Sequence, residues 1–155
     1  MKKRFSALCL ILGLLAALCA VGPGSASLGG SVDSVEKDRR SLAAVRGAGT
    51  VGEGYEVKEM HNPAAAVREY ISPSGVVFGI AWNGPVRPDL AQLLGAYAEE
   101  YEGALRRTPR QPGRPYLKVQ ANGLVVEQWG HVRGLHGRAY VANLVPKGVS
   151  VDAIK

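Results

Sequence analysis

No cysteine follows residue 19. The two in the chain, Cys9 and Cys19, both lie in an apolar run near its start. The rest of the sequence therefore has no disulfide framework, no C-x-x-C pair and no thiol nucleophile. Histidine is almost as scarce, with His61, His131 and His136 the whole supply. Zinc sites draw on three or four close His, Cys or carboxylate ligands. There is no H-E-x-x-H, and no acidic cluster accompanies His131 or His136, so no metal and no cofactor is expected. No G-x-S-x-G surrounds a serine, and Ser72 and Ser74 fall in a turn. The longest apolar run, Leu8 to Val21, has 14 residues, short of the roughly 20 that span a bilayer as a helix.

That run has the flanks of a secretory signal. Lys2, Lys3 and Arg4 precede it, and Gly22-Pro23-Gly24-Ser25-Ala26 follows, with Gly24 and Ala26 at the small positions of a cleavage site. Residues 1–26 are expected to be a cleaved signal peptide, placing the protein in the periplasm or the medium. A lipid-modified cysteine normally follows a small residue, and these follow Leu8 and Leu18, so cleavage without lipidation is expected. Loss of Lys2, Lys3 and Arg4 takes the basic count from 19 to 16 against 13 acidic residues, a net charge of +3. That charge does not argue for nucleic acid. The remaining 129 residues suit one domain without staples.

Residues 27–54 read as a flexible segment, a weak helix or coil followed by four glycines between Gly47 and Gly54. The compact domain is expected over 55–155. Tyr55 to Glu59 alternates as a strand. Val67 to Ile71 and Val76 to Trp82 flank Ser72-Pro73-Ser74-Gly75, a hairpin signal. Simple alternation puts Val76, Phe78, Ile80 and Trp82 on one face. Both faces lack charge, which predicts a central strand covered on both sides, with small residues where another element comes close. Asp89 caps one main helix to about Arg107, with Gln92 completing a capping-box pattern. Its buried stripe is Leu90, Leu93, Leu94, Tyr97, Tyr101 and Ala104 or Leu105. Gly95 and Gly103 weaken it by about 1 kcal/mol each. Tyr116 to Ala121 and Leu124 to Trp129 flank Asn122-Gly123, a type I′ hairpin signal that sets Lys118 opposite Glu127 and Tyr116 opposite Trp129. A last strand is predicted from about Arg138 to Val145. The fold class is α+β: an antiparallel sheet of two hairpins and flanking strands with one main helix packed on it.

The block from Val67 to Pro85, with Pro88-Asp89-Leu90 and Leu93-Leu94-Gly95-Ala96-Tyr97, resembles a family of small exported bacterial proteins catalogued as domain of unknown function 2844. Gly123-Leu124-Val125-Val126, Gly130-His131, Gly137-Arg138-Ala139-Tyr140 and the junction Ala26 to Gly30 are similar too. The resemblance implies an exported single domain and brings no activity, cofactor or catalytic residue with it. Asn62 to Ala66 and the arginine-rich stretch Arg106 to Arg114 depart from the family pattern.

The residues leave three functional readings open. The first is a non-catalytic domain that binds an envelope protein or an envelope surface, with Trp129 and His131 as surface contacts. The second is a hydrolase-like enzyme with an unmarked site at His131 or His136 and a nearby carboxylate. The third is attachment to an anionic surface through Arg106, Arg107, Arg110 and Arg114. Nucleic acid and a transmembrane span in the mature chain are not expected, and the oligomeric state is open.

Overall fold

The computed structural model describes residues 28–109, 113 and 115–155. The expected signal peptide lies outside them. In chain order the elements are α1 (Val32–Ser41), β1 (Val45–Arg46), β2 (Thr50–Gly52), β3 (Tyr55–His61), β4 (Ala66–Ile71), β5 (Val77–Gly84), α2 (Leu90–Leu94), α3 (Ala98–Arg107), β6 (Tyr116–Ala121), β7 (Leu124–His131) and β8 (Gly134–Val141). The strands form one antiparallel sheet in the order β1-β3-β4-β5-β8-β7-β6, with β2 also on the outer edge of β3. This is the α+β arrangement expected.

Both sequence-marked hairpins form. At Ser72-Pro73-Ser74-Gly75, the Gly75 amide donates to the Ser72 carbonyl at 2.8 Å, and Gly75 takes the positive φ that the turn demands. Asn122 and Gly123 both have positive φ, and the strands after them pair Lys118 with Glu127 and Tyr116 with Trp129. A third hairpin joins β7 to β8, so the last strand runs Gly134–Val141 rather than 138–145. Arg133 supplies the positive φ of its turn without a glycine. Gly137 faces Trp82 across the β5–β8 pair, and a Cβ there would strike the indole.

One face of the sheet is covered by the helices. Val67, Ile71, Val77, Ile80, Trp82, Val126 and Val141 pack there against Val35 and the stripe Leu90, Leu93, Leu94, Tyr101 and Ala104. Asp89 caps α2 as expected, its Oδ1 accepting from Ala91 N at 2.9 Å. The helix predicted from Asp89 to Arg107 is broken at Gly95, whose φ of 52° and ψ of −117° are out of reach for a residue with a Cβ. A short 3-10 turn, Gly95–Tyr97, links α2 to α3. The strand alternation is corrected as well. A bulge between the Tyr70 and Ile71 pairs turns Phe78 to the face opposite Ile80 and Trp82, where it packs with Tyr70, Ala81, Tyr140 and Ile154. Gly79 admits Ile154, whose Cδ1 would lie 2.7 Å from an added Cβ. The central strand is thus covered on both sides, as predicted.

Packing begins well before Tyr55. Leu28 is fully buried, and its amide donates to the Leu93 carbonyl, while Gly29 and Gly30 exchange backbone bonds with Val77. Part of the glycine stretch read as a connector is strand β2, paired with β3. Asn62 fastens this region to the β3–β4 loop: its Nδ2 donates to Leu42 O, and its Oδ1 accepts from Ala64 N and Ala65 N.

Candidate functional site

The second face of the sheet is organised in three cross-strand rows, because residues opposite one another in register point the same way. The first row is Val57, Tyr70, Gly79, Tyr140, Val125 and Gln120, running from β3 to β6. It is the apolar row. The segment 142–155 lies over it, with Val149, Val151 and Ile154 packed on Tyr70, Phe78 and Tyr140.

The second row is ionic: Glu59, Arg68, Ala81, Arg138, Glu127 and Lys118. Its centre is Glu127, 5% exposed. Its Oε2 accepts from Arg138 Nε at 2.6 Å, and its Oε1 accepts from Tyr116 Oη at 2.9 Å and lies 3.1 Å from Lys118 Nζ. Burial alone would raise the Glu127 carboxyl, but bonds from Arg138, Tyr116 and Lys118 outweigh it and hold its pKa below the usual carboxylate value. Burial and the same bond push the Tyr116 hydroxyl up. The row also grips the covering segment. Arg138 Nη1 donates to Val151 O at 3.0 Å, and Arg68 Nη1 donates to Lys155 O at 2.8 Å.

The third row is open. In register from β6 to β3 it reads Tyr116, Trp129, His136, Asn83, Ala66 and His61. Tyr116 is 50% exposed and Trp129 36%, and His136 is exposed beside them. The Trp129 and His136 rings are parallel within 10°, with centroids 6.1 Å apart. The bond from Tyr116 Oη to Glu127 ties the third ring down along the sheet. Three aromatic rings therefore stand side by side on three neighbouring strands. Around the corner, at this end of the sheet, is a cleft of 230 Å³ whose lining includes Trp82, Arg87, Gln128 and Leu135.

Of the residues singled out in the sequence, Trp129 stands at the centre of this row. His131 is exposed at the end of β7 and does not line that cleft. Arg106 and Arg107 are exposed on the last turn of α3. Arg110 and Arg114 lie outside the described residues. The sequence reading missed Asn83 and His61 as row members and placed His136 near a strand end instead of within β8. Period-2 alternation carried back from Arg138 would have put His136 on the Trp129 face, but the predicted strand begins only at about Arg138. The pairing of β5 with β8, which brings in Asn83, has no local signal.

Chemistry other than contact finds few groups here. No carboxylate, serine or threonine stands in the row, and the carboxyls beside it are engaged: Glu127 by Arg138, Tyr116 and Lys118, and Glu59, which lies 3.7 Å from His61, by Arg68. Among the described residues no group of three His, Cys, Asp or Glu side chains is placed to hold a metal ion. No helix among them is long and apolar enough to cross a membrane.

A larger cleft, about 590 Å³, lies between α1 and β3 over Val32, Val35 and Met60. Its guanidinium groups are gathered on one carboxylate: Glu36 accepts from Arg39 and Arg46, with Arg40 at 3.7 Å. Bonds from Arg39 and Arg46 hold the Glu36 pKa down at about 2. Deeper, α1 carries Asp38 against Glu69 of β4 and Gln92 of α2, a buried acid pair under the helices.

Fold and site together define an antiparallel α+β domain with one helix-covered sheet face and an open aromatic strip on the other. The chain belongs to the family described as protein of unknown function (DUF2844), whose model matches residues 24–154. Comparison with curated proteins and with solved structures gives no match.

Proposed function

We propose that this is an exported binding domain that does no catalysis itself and meets an envelope partner through the open row of its sheet. The observation that carries the reading is the alignment of Tyr116, Trp129 and His136 on one exposed row, with the rings of Trp129 and His136 parallel. Exposed aromatic side chains on a rigid element are what contact surfaces are built from, because they bring large area at low entropic cost. The signal-like start of the chain supports the export half of the reading, and intact mass of the protein from separated cell fractions tests it. A soluble periplasmic or medium species starting near Ser27 is the expected result.

The contact half is tested by affinity capture from envelope extract with the native protein, a Tyr116→Ala/Trp129→Ala variant and an Arg106→Ala/Arg107→Ala variant. Capture should survive the arginine changes and be lost with the rings. Equal capture by all three would move the contact surface off the row. Capture lost only with the arginines would favour the anionic-surface reading.

A further inference from the structure

We propose that the open row binds a saccharide chain laid across the strands. The inference rests on the reading of the row as the contact surface and names the chemistry of what it contacts.

The shape comes first. The row crosses six strands from Tyr116 on β6 to His61 on β3. At the usual strand spacing that is a strip roughly 24 Å long. It is one residue wide, bounded on one flank by the ionic row and the segment 142–155 behind it. Among the described residues the sheet ends at β6. A strip of this form fits a long, narrow chain better than a globular partner, whose standard interface buries about 800 Å² on each side.

Chemistry then narrows the chain. Pyranose rings present a face of C–H groups that packs on an aromatic face, and a rim of hydroxyls that needs donors and acceptors nearby. Tyr116, Trp129 and His136 supply three rings at one-strand intervals, together about the length of two linked hexoses. Asn83 and His61 continue the strip with groups able to bond hydroxyls, with the small Ala66 between them.

Charge separates this ligand from a nucleic-acid strand, which also stacks bases on aromatic rows but draws most of its affinity from unmatched cations along its phosphates. In the adjoining ionic row each cation has a carboxylate nearby: Arg138 lies between Glu127 and Asp152, Lys118 meets Glu127, and Arg68 meets Glu59 at 3.2 Å. Arg87, at the cleft, bonds Gln128 instead and is a single cation. The row therefore offers stacking and hydrogen bonds with little net field, which suits a polyhydroxylated neutral chain.

Trp82 and Trp129 are the only tryptophans, and Trp82 is buried at the back of the neighbouring cleft, so the part of a ligand-dependent emission change that Trp129→Ala removes reports on Trp129. The test is a titration of the native protein with hexasaccharides of β-1,4-linked glucose, of β-1,4-linked N-acetylglucosamine and of the alternating N-acetylglucosamine–N-acetylmuramic acid backbone, with poly-dT alongside. Calorimetry repeats it on Trp129→Ala, Tyr116→Ala and Tyr116→Phe, each checked for native circular dichroism. A saturable emission change with at least one saccharide is expected. Trp129→Ala should weaken that binding by roughly tenfold or more, as for a central aromatic anchor. Tyr116→Ala should weaken it less, and Tyr116→Phe, which keeps the ring, least of all.

Saccharide binding unchanged by Trp129→Ala would overturn the proposal. So would binding of poly-dT, but of no saccharide, with a steep salt dependence. No emission change with any saccharide at millimolar concentration overturns it too. If envelope capture is still lost with the rings in that case, the row stands as a contact surface and only the saccharide falls. If capture is also indifferent to the rings, both readings fall together.

Discussion

Glu69 and Glu127 occupy equivalent places on opposite faces of one sheet. Each lies in mid-strand, Glu69 fully buried and Glu127 5% exposed, yet they meet opposite company. Glu127 is surrounded by donors: Arg138, Lys118 and the Tyr116 hydroxyl. Glu69 faces another acid, Asp38, which also bonds Gln92. Burial drives the Asp38 carboxyl up to about 6, against the lowering effect of its bonds to Gln92 and Glu69 and the nearby Lys37 charge. Burial is common to both sites, so the partner decides whether a closed carboxyl keeps its charge or its proton. One site is an ion cluster that ties strands and covering segment together. The other is a proton-holding contact that joins α1 to the sheet.

Breaking the ion cluster should have a large effect. Glu127→Ala leaves the Arg138 guanidinium, 19% exposed, with only the exposed Asp152 at 3.5 Å for a carboxylate, which costs on the order of 3 kcal/mol. Urea unfolding at pH 7 measures it. Because the folded pKa of Glu127 lies below its ordinary value, its contribution is present above about pH 4.5 and fades as the pH falls through the folded pKa. The gap between native and variant should therefore close in acid.

The segment that covers this face is the next point to break. Ile154 is fully buried against Gly79 and Phe78. Ile154→Ala is expected to cost about 3 kcal/mol through lost packing and the cavity left behind. The loss should show little pH dependence, which separates it from Glu127→Ala. It should also raise amide exchange in 149–155 ahead of the β5 interior.

Parts of this contrast were legible in the sequence and parts were not. The β6–β7 register, with Lys118 on Glu127 and Tyr116 on Trp129, follows from Asn122-Gly123 because a two-residue turn leaves no freedom in pairing. The α2–α3 stripe and the Asp89 cap follow from local spacing. The other carboxyl site was hidden. Asp38 sits among Lys37, Arg39 and Arg40 and reads as a solvated helix face, while α1 puts few apolar side chains into the core, Val35 among them. Phe78 was put on the wrong face because a bulge adds a residue that alternation cannot count. The open row is legible only where a tight turn sets its register, at Tyr116 and Trp129. His136, Asn83 and His61 join it through the missed extent of β8 and the long-range pairing of β5 with β8.

The acid pair sharpens the comparison with an effect of opposite sign. The folded pKa of Asp38, about 6, lies above its ordinary 3.8, so folding favours the protonated form. Stability from this group is complete below about pH 4, declines as the pH rises toward 6 and is level above that. Asp38→Asn imitates the protonated state. It should come close to the native protein at pH 4 and exceed it by about 3 kcal/mol at pH 7, given roughly 1.4 kcal/mol per pKa unit. Thermal melts at both values test this. A variant less stable than native at pH 7 would mean that the ionised carboxyl is wanted there.

The smallest effect isolates exposure within the ion cluster itself. Lys118 and Arg138 bond the same carboxylate, but the Lys118 side chain is 39% exposed against 19% for Arg138. Water screens the Lys118 contact and leaves it a flexible chain to immobilise, so Lys118→Met should cost under about 1 kcal/mol, with most of that gone in high salt. Arg138→Met should cost several times more and respond little to salt, because it also releases the carbonyl of Val151. If the two substitutions cost the same and fall together with salt, the cluster is a surface ion pair after all, and the contrast between the two buried carboxyls rests on Glu69 and Asp38 alone.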